Sequence, residues 1–418
     1  MAREIKDSEV EWIGNIPENW CISKLKYLGR YINGYPFKPS DWSRSGLRII
    51  RIQDLTGSNN NSNYFNGEIE KRYLVSKGDI LISWAATLDA FLWNGENAVL
   101  NQHIFKAIPS LSSIVPKFFF WLVKESMLHM NHENKHGIFM QHVTADVFNN
   151  FQVPLPPLSE QRRIADFLDA KCAKIDEILE KTRASIEEYK KLKQAVITET
   201  VTKGVRGTRP MKPSGIEWIG EIPEEWEVEK GKRLFEEVDD RSETGKEELL
   251  TVSHITGITP RSQKNVYMFL ATSLVGYKKC RRGDIAANTM WMWQGAIGVS
   301  EYDGVISPSY NVYRQSRDCY NSDYLDRMLR IPLLVGTYRI YSTGITPSRL
   351  RLYPDKFLSI PFLLPPRKEQ KEIADYLNRK CADIDALIMS KEKFLDQMEA
   401  YRKSLIYEYV TGKKEVAS

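Results

Sequence analysis

Two clusters in this 418-residue chain have residue types and spacings suited to holding a metal ion. His129-x-x-His132-x-x-x-His136 sets three imidazoles at helical spacing, as nitrogen donors to zinc are set. Neither a cysteine nor a carboxylate cluster accompanies them, so a solvated helix face is the plainer reading. Pro354-Asp355 followed by Glu369-Gln370-Lys371 has the form of a carboxylate and a Glu-x-Lys, groups that hold a divalent ion beside a phosphodiester in nucleases. Other reactive signatures are missing. There is no Gly-x-x-x-x-Gly-Lys-Ser/Thr loop, no Gly-x-Gly-x-x-Gly after a strand, no Asn-Pro-Pro-Tyr/Phe and no Cys-x-x-Cys. The chain therefore reads as non-catalytic, with no metal or cofactor of its own, and any chemistry must come from partners.

The elements that position these residues follow from an internal duplication. Glu11-Trp-Ile-Gly-Asn-Ile-Pro-Glu-Asn-Trp20 recurs as Glu217-Trp-Ile-Gly-Glu-Ile-Pro-Glu-Glu-Trp226, identical at eight of ten positions. Lys77-Gly78-Asp79-Ile80 recurs as Arg282-Gly283-Asp284-Ile285, and 155–179 recurs at 364–388 with 14 of 25 identities. The offsets are 206, 205 and 209, so the order is colinear. The repeat undercuts both metal clusters. Gly336, Arg339 and Thr343 stand where the three histidines would recur. Glu369 and Lys371 lie in a motif that is Glu160-Gln161-Arg162 in the first copy, and Asp355 corresponds to Asp146, which lacks the preceding proline.

Each copy opens on the Trp-containing segment, continues through strand-like runs such as 49–55 and 249–255, and turns a proline corner into a long helix. Apolar residues after the corner step by three, four or seven: Ile164, Leu168, Cys172, Ile175, Leu179, Ile186, Tyr189, Leu192 and Val196. The second copy has Ile373, Leu377, Cys381, Ile384, Ile388, Leu395, Met398, Leu405 and Tyr409. Some 45 residues at about 1.5 Å each make a helix roughly 65 Å long, whose narrow stripe needs a partner. The other copy carries the matching stripe. The expected fold is α+β: two tandem repeats, each a mixed α/β domain followed by a long helix, the helices pairing as an antiparallel coiled coil with pseudo-two-fold symmetry. The expected divisions are a first domain at 1–154, its helix at 155–204, an exposed Gly/Pro/base-rich linker at 205–216, a second domain at 217–363, its helix at 364–412 and a tail at 413–418.

Composition sets wide bounds. Hydrophobic content of 42% with 27% charged residues suits a water-soluble globular protein, and the net charge of +5 singles out no partner. The charged start, Met1-Ala2-Arg3-Glu4-Ile5-Lys6-Asp7, lacks the apolar core of a secretory leader. Five unpaired-looking cysteines suit a reducing cytoplasm.

The duplicated combination resembles a known family. Residues 154–168, Pro-Leu-Pro-Pro-Leu-Ser-Glu-Gln-Arg-Arg-Ile-Ala-Asp-Phe-Leu, and their repeat at 364–377 are similar to the start of the spacer helix in specificity (S) subunits of type I restriction-modification enzymes. The segments 11–20 and 217–226 resemble the opening of that family's module. Gly78-Asp79-Ile80-Leu81-Ile82-Ser83-Trp84 with Leu100-Asn101-Gln102-His103 looks like one target-recognition subtype. Gly283 to Met290 with Trp293-Gln294-Gly295-Ala296 and Ser307-Pro308-Ser309-Tyr310 looks like another. The resemblance implies that each domain reads half of a bipartite, asymmetric site in double-stranded DNA. It implies that the helices set the unread gap, and that methyltransferase (M) subunits, two of them, and restriction (R) subunits join the complex. S-adenosylmethionine, ATP and Mg are then expected on those partners. Polar and aromatic side chains near strand ends are the candidates for base contact: Gln53, Trp84, Gln102, His103, Gln141 and His142 in the first copy, and His254, Arg261, Asn288, Trp291, Gln294, Tyr310, Asn311 and Arg349 in the second. Alignment of the copies sets His103 opposite Asn311 and Gln53 opposite Ser253. The rival readings are a coiled-coil scaffold that binds protein, and a metal-dependent nuclease built on Asp355, Glu369 and Lys371.

Overall fold

The computed structural model describes residues 3–58, 61–133, 143–217, 219–264, 272–346 and 350–416. The chain forms two compact units, Met1–Thr182 with Lys393–Ser418, and Arg183–Glu392. Each unit holds one head, the opening half of the helix that follows that head, and the closing half of the other copy's helix.

Both heads are built on the same antiparallel sheet. In the first unit it comprises β1 (Gly29–Asn33), β2 (Ile80–Ser83), β3 (Asp89–Leu92) and β4 (Ile104–Pro109), in the order β1-β4-β2-β3. In the second it comprises β5 (Phe235–Val238), β6 (Ile285–Ala287), β7 (Ile297–Val299) and β8 (Asn311–Gln315), in the order β5-β8-β6-β7. The repeated Gly-Asp starts the second strand of each. Gly78 and Gly283 take positive φ (94° and 90°), where glycine carries no Cβ penalty. The carboxylates of Asp79 and Asp284 then accept the amides of Ser76 and Arg281, each at 2.8 Å, and pair with Lys106 and Arg314.

The outer layers differ. The first head adds a four-stranded sheet containing Leu47–Ile50 and Ala98–Leu100, paired in parallel; the second has a hairpin, Leu250–Ser253 with Gly257–Pro260, and a separate antiparallel pair, Lys278–Cys280 with Gly304–Ile306. The strand expected over 49–55 stops at Ile50. Asp54 accepts the Arg51 amide at 2.9 Å and an Arg48 guanidinium N–H at 2.6 Å, and the chain coils into a one-turn helix, Ile52–Leu55.

Of the helices in the described residues, those that bear on the site are α1 (Pro116–Glu133), α2 (Leu158–Lys203), α3 (Ser322–Leu329) and α4 (Arg367–Val410). The two long helices run antiparallel within each unit. In the first, Phe167 meets Tyr409 with ring centroids 4.4 Å apart and Asp176 meets Arg402 at 2.7 Å. In the second, Lys391 lies over the Tyr189 ring and Lys193 reaches Asp385 at 2.6 Å. Ile164, Leu168, Cys172, Ile175, Leu179 and Ile186 are buried, as are Ile373, Leu377, Cys381, Ile384 and Ile388. Leu192 departs from the expected stripe and is 49% exposed. Seven residues from Ile186 the seam falls on position 193, so Lys193 takes the slot and its ammonium reaches across to Asp385.

Residues 205–216 are less free than the expected linker. Arg206 pairs with Glu372, and Met211–Pro213 forms an antiparallel ladder with Glu221–Pro223. Ile5–Asp7 makes the same ladder with Asn15–Pro17 in the first unit. The repeated structure therefore begins upstream of the repeated Glu-Trp-Ile-Gly.

Candidate nucleic-acid interface

The sheet common to both heads brings two loops together at one end, the loop leaving its second strand and the turn entering its fourth. In the second unit these are the segments after Ala287 and before Asn311, residues that face each other in the ladder. Asn288 Nδ2 donates to the Tyr310 hydroxyl at 2.8 Å, and Asn288 Oδ1 accepts the Met290 amide at 3.2 Å. The Thr289 hydroxyl donates to the Ser309 carbonyl at 2.8 Å and closes the pair of loops. Burial raises the Tyr310 pKa, so its hydroxyl keeps its proton at neutral pH. Trp291 is 47% exposed, its ring stacked 6.2 Å from that of Trp293, whose indole N–H donates to the Met290 carbonyl. Asn288 and Asn311 are buried, and Gln294 is half-buried. His254 stands exposed in the turn Ser253–Gly257, while Arg261 begins a one-turn helix and is half-buried. Arg349 lies outside the described residues.

The first unit has the same construction with other side chains. Trp84 follows β2, and His103 precedes β4. Their rings lie 5.5 Å apart edge to face, and Phe105 stacks on Trp84 at 5.8 Å. The Trp84 indole N–H is buried and has no acceptor among the described residues. Gln102 Nε2 lies 3.3 Å from His103 Nε2. Ala86, in the loop after Trp84, holds φ at 59°, a left-handed conformation that costs a non-glycine residue roughly 1 kcal/mol. Gln53 is exposed on the one-turn helix, while Ser253 ends a strand, so the two are not structural counterparts. Phe105 faces Ile82 and Asn311 faces Ala287, which places Phe105, not His103, at the level of Asn311. Gln141 and His142 lie outside the described residues.

The clusters suggestive of metal are otherwise engaged. His129 Nε2 is 3.0 Å from Glu125 Oε1, and its ring packs 4.6 Å from Trp12; His132 side-chain placement and His136 lie outside the described residues. Glu369 is fully buried. Its Oε1 accepts from Arg209 at 2.5 Å and its Oε2 from the Trp226 indole at 3.0 Å. Arg209 also lies over the Trp226 ring, 5.6 Å from its centroid. The first unit repeats this latch: Glu160 takes Arg3 at 2.8 Å and Trp20 at 2.9 Å. Next to each acid, Gln161 and Gln370 donate to the proline-corner carbonyls of Pro156 and Pro365, both at 2.8 Å. The latches escaped the sequence reading as sites, although Trp20/Trp226 and Glu160/Glu369 are identical in both copies.

Residues 17–188 match the family described as the type I restriction modification DNA specificity domain. The chain is similar to a type I restriction enzyme specificity subunit, MjaVIII, of Methanocaldococcus jannaschii, at 24% identity over 96% of this chain and 94% of that one. It is also similar to the EcoBI specificity subunit of Escherichia coli, at 27% identity over 48% of this chain and 42% of that one. Its fold matches a chain solved in a study of complex assembly and conformational transition of the type I R-M system, at 16% identity and TM-score 0.70, covering 96% and 99% of the two chains. It matches the HsdS subunit of Thermoanaerobacter tengcongensis at 17% identity and TM-score 0.51, covering 96% and 98%.

Proposed function

We propose that the chain is a specificity subunit of a type I restriction-modification system, which reads a bipartite, asymmetric site in duplex DNA and directs the enzymes that act there. One observation carries the reading: two sheets of identical strand order present paired loops at the same end, with Trp84, Gln102 and His103 in one and Trp291, Gln294 and Tyr310 in the other. A shared frame with unlike tips suits two unlike half-sites, as two-fold recognition proteins mirror two like ones. Within this proposal the domains are 1–154 and 217–363, and the helices between them set the unread gap. Two M subunits supply S-adenosylmethionine chemistry, and R subunits supply ATP-driven, Mg-dependent cleavage. Apolar side chains left exposed on the long helices, among them Ile178, Leu387 and Met389, are available to the methyltransferase partner.

The test is a footprint of the chain assembled with its M partner. Two separated clusters of protected base pairs are expected. One continuous block, or no protection, would refute the reading. A steep loss of affinity with salt, from counterion release, separates it from a protein-binding scaffold, whose apolar contacts respond little.

A further inference from the structure

Each unit contains a cleft at the same place, between the helix of its head and the closing half of the other copy's long helix. In the second unit α2 lines it with Lys190, Lys193, Gln194 and Ile197. In the first, α4 lines it with Glu399, Arg402, Lys403 and Ile406, the same four positions at the helix offset of 209. The facing wall supplies Arg330 in one and Lys124 in the other.

The charge of the two clefts has diverged. In the first, Lys124 donates to both oxygens of Asp89 at 2.7 and 2.9 Å, and the lining cations Lys124, Arg402 and Lys403 are balanced by Asp89, Glu125 and Glu399. In the second, Lys190, Lys193, Arg327 and Arg330 share a cleft of about 370 Å³ with one lining carboxylate, Asp326. In the second unit Arg327, which lines the cleft, donates to Asn378 at 2.6 Å; its counterpart in the repeat, Trp121, donates to Asp169 at 2.8 Å and lines a separate pocket of the first unit. Arg330 is fixed in the wall by the carbonyls of His254 and Ile255. His254 and Gln294, both candidates for base contact, stand at the edge of this cleft.

We infer that the cleft of the second unit seats a phosphodiester of the DNA backbone, which makes the closing half of α2 part of the DNA-binding surface. The inference rests on the DNA-reading proposal and deepens it. A phosphate takes over the ammonium groups of Lys190 and Lys193 from Glu187 and Asp385, their partners in the free protein. Such a contact fixes register and carries no sequence information.

The full chain with its M partner is titrated with a fluorescent duplex carrying the site, at salt from 50 to 200 mM. Each phosphate contact contributes about 0.9 to the slope of log affinity against log salt. K190Q/K193Q is expected to lower that slope by roughly one and the affinity at 0.1 M salt by about tenfold, with the methylated sequence unchanged. R402Q/K403Q, in the balanced cleft, is expected to leave the slope as it is. An undiminished slope in K190Q/K193Q overturns the inference. Because Lys193 also joins the two helices, the wild-type complex is footprinted by lysine acetylation as well. DNA is expected to protect Lys190 and Lys193. Absence of protection, or protection by the M partner alone, overturns the inference. A wild-type complex with no sequence preference would defeat the DNA-reading proposal itself, a result separate from any of these.

Discussion

Glu369→Ala tests what holds a head to its helix. The side chain has no solvent exposure, and Arg209 is only 12% exposed. Removing the carboxylate leaves a nearly buried guanidinium without its counter-charge and a buried Trp226 N–H without its acceptor. Breaking a buried ion pair from one side costs about 3–5 kcal/mol, much of it the stranded charge. In a unit of this size that lowers Tm by roughly 10 °C. In the matching change of the first unit, Glu160→Ala, the acid is 16% exposed and its partner Arg3 24%, so water compensates the guanidinium and a loss of about 1–3 kcal/mol is expected. Glu369→Gln keeps an acceptor for the indole and should recover part of the difference. The assay is denaturant unfolding of the full chain, with hydrogen exchange at the start of α4 to assign the transition to the second unit. Equal destabilisation by the two alanine variants would refute the burial argument. Loss of a metal-dependent cleavage activity in Glu369→Ala, with stability intact, would revive the nuclease reading.

Replacing Gln102 and His103 by alanine should relax the first half-site alone, and replacing His254 and Gln294 the second alone, each lost contact removing about 1–3 kcal/mol of discrimination; methylation sequencing of host DNA shows which half changes, and a change in both halves contradicts the separate readers. Deleting one helical turn near Lys181 to Ile186 should alter the tolerated gap and keep both half-sites, read by the same sequencing; altered half-sites would count against the spacer. Burial pushes the thiols of Cys172 and Cys280 up to about 11 and about 12, so both should resist iodoacetamide at pH 8 in the folded chain while exposed Cys21 is alkylated, as mass spectrometry of the modified peptides shows. These folded pKa values lie above the ordinary thiol value of 9.0, so the stability tied to them is complete below about pH 9 and is lost as pH rises toward 11 and 12. A Cys280→Ala chain should show a shallower loss over that range.

The duplication, the long helices and most of the seam were legible because they depend on spacing, and spacing is written in the chain. Leu192 was misplaced because an apolar residue one position short of the heptad looks like seam in a list, whereas the helix turns it away and gives the slot to Lys193. The run 49–55 looked like one strand because its composition is strand-like; the local hydrogen bonds of Asp54 override that composition. Arg3 and Arg209 lie outside the repeated motifs, since single arginines in dissimilar surroundings do not align. Only their shared position over a tryptophan, bonded to an acid about 160 residues away, reveals the equivalence. The clefts were invisible for the same reason, being assembled from distant parts of the sequence.

Where the two copies agree and where they differ follows from the free-energy cost of change at each kind of position. Substituting a latch residue strands a buried charge or an indole N–H, at several kcal/mol, so both copies keep Glu, Gln and Trp there. Substituting an exposed residue such as Gln53 or Trp291 shifts stability by roughly half a kcal/mol. The loop end of a latched sheet can therefore diverge without endangering the fold. The second cleft marks a middle case: Arg327, one of its lining cations, bonds Asn378 where the first unit bonds Trp121 to Asp169, so a bonded pair persists while the charge of its members differs.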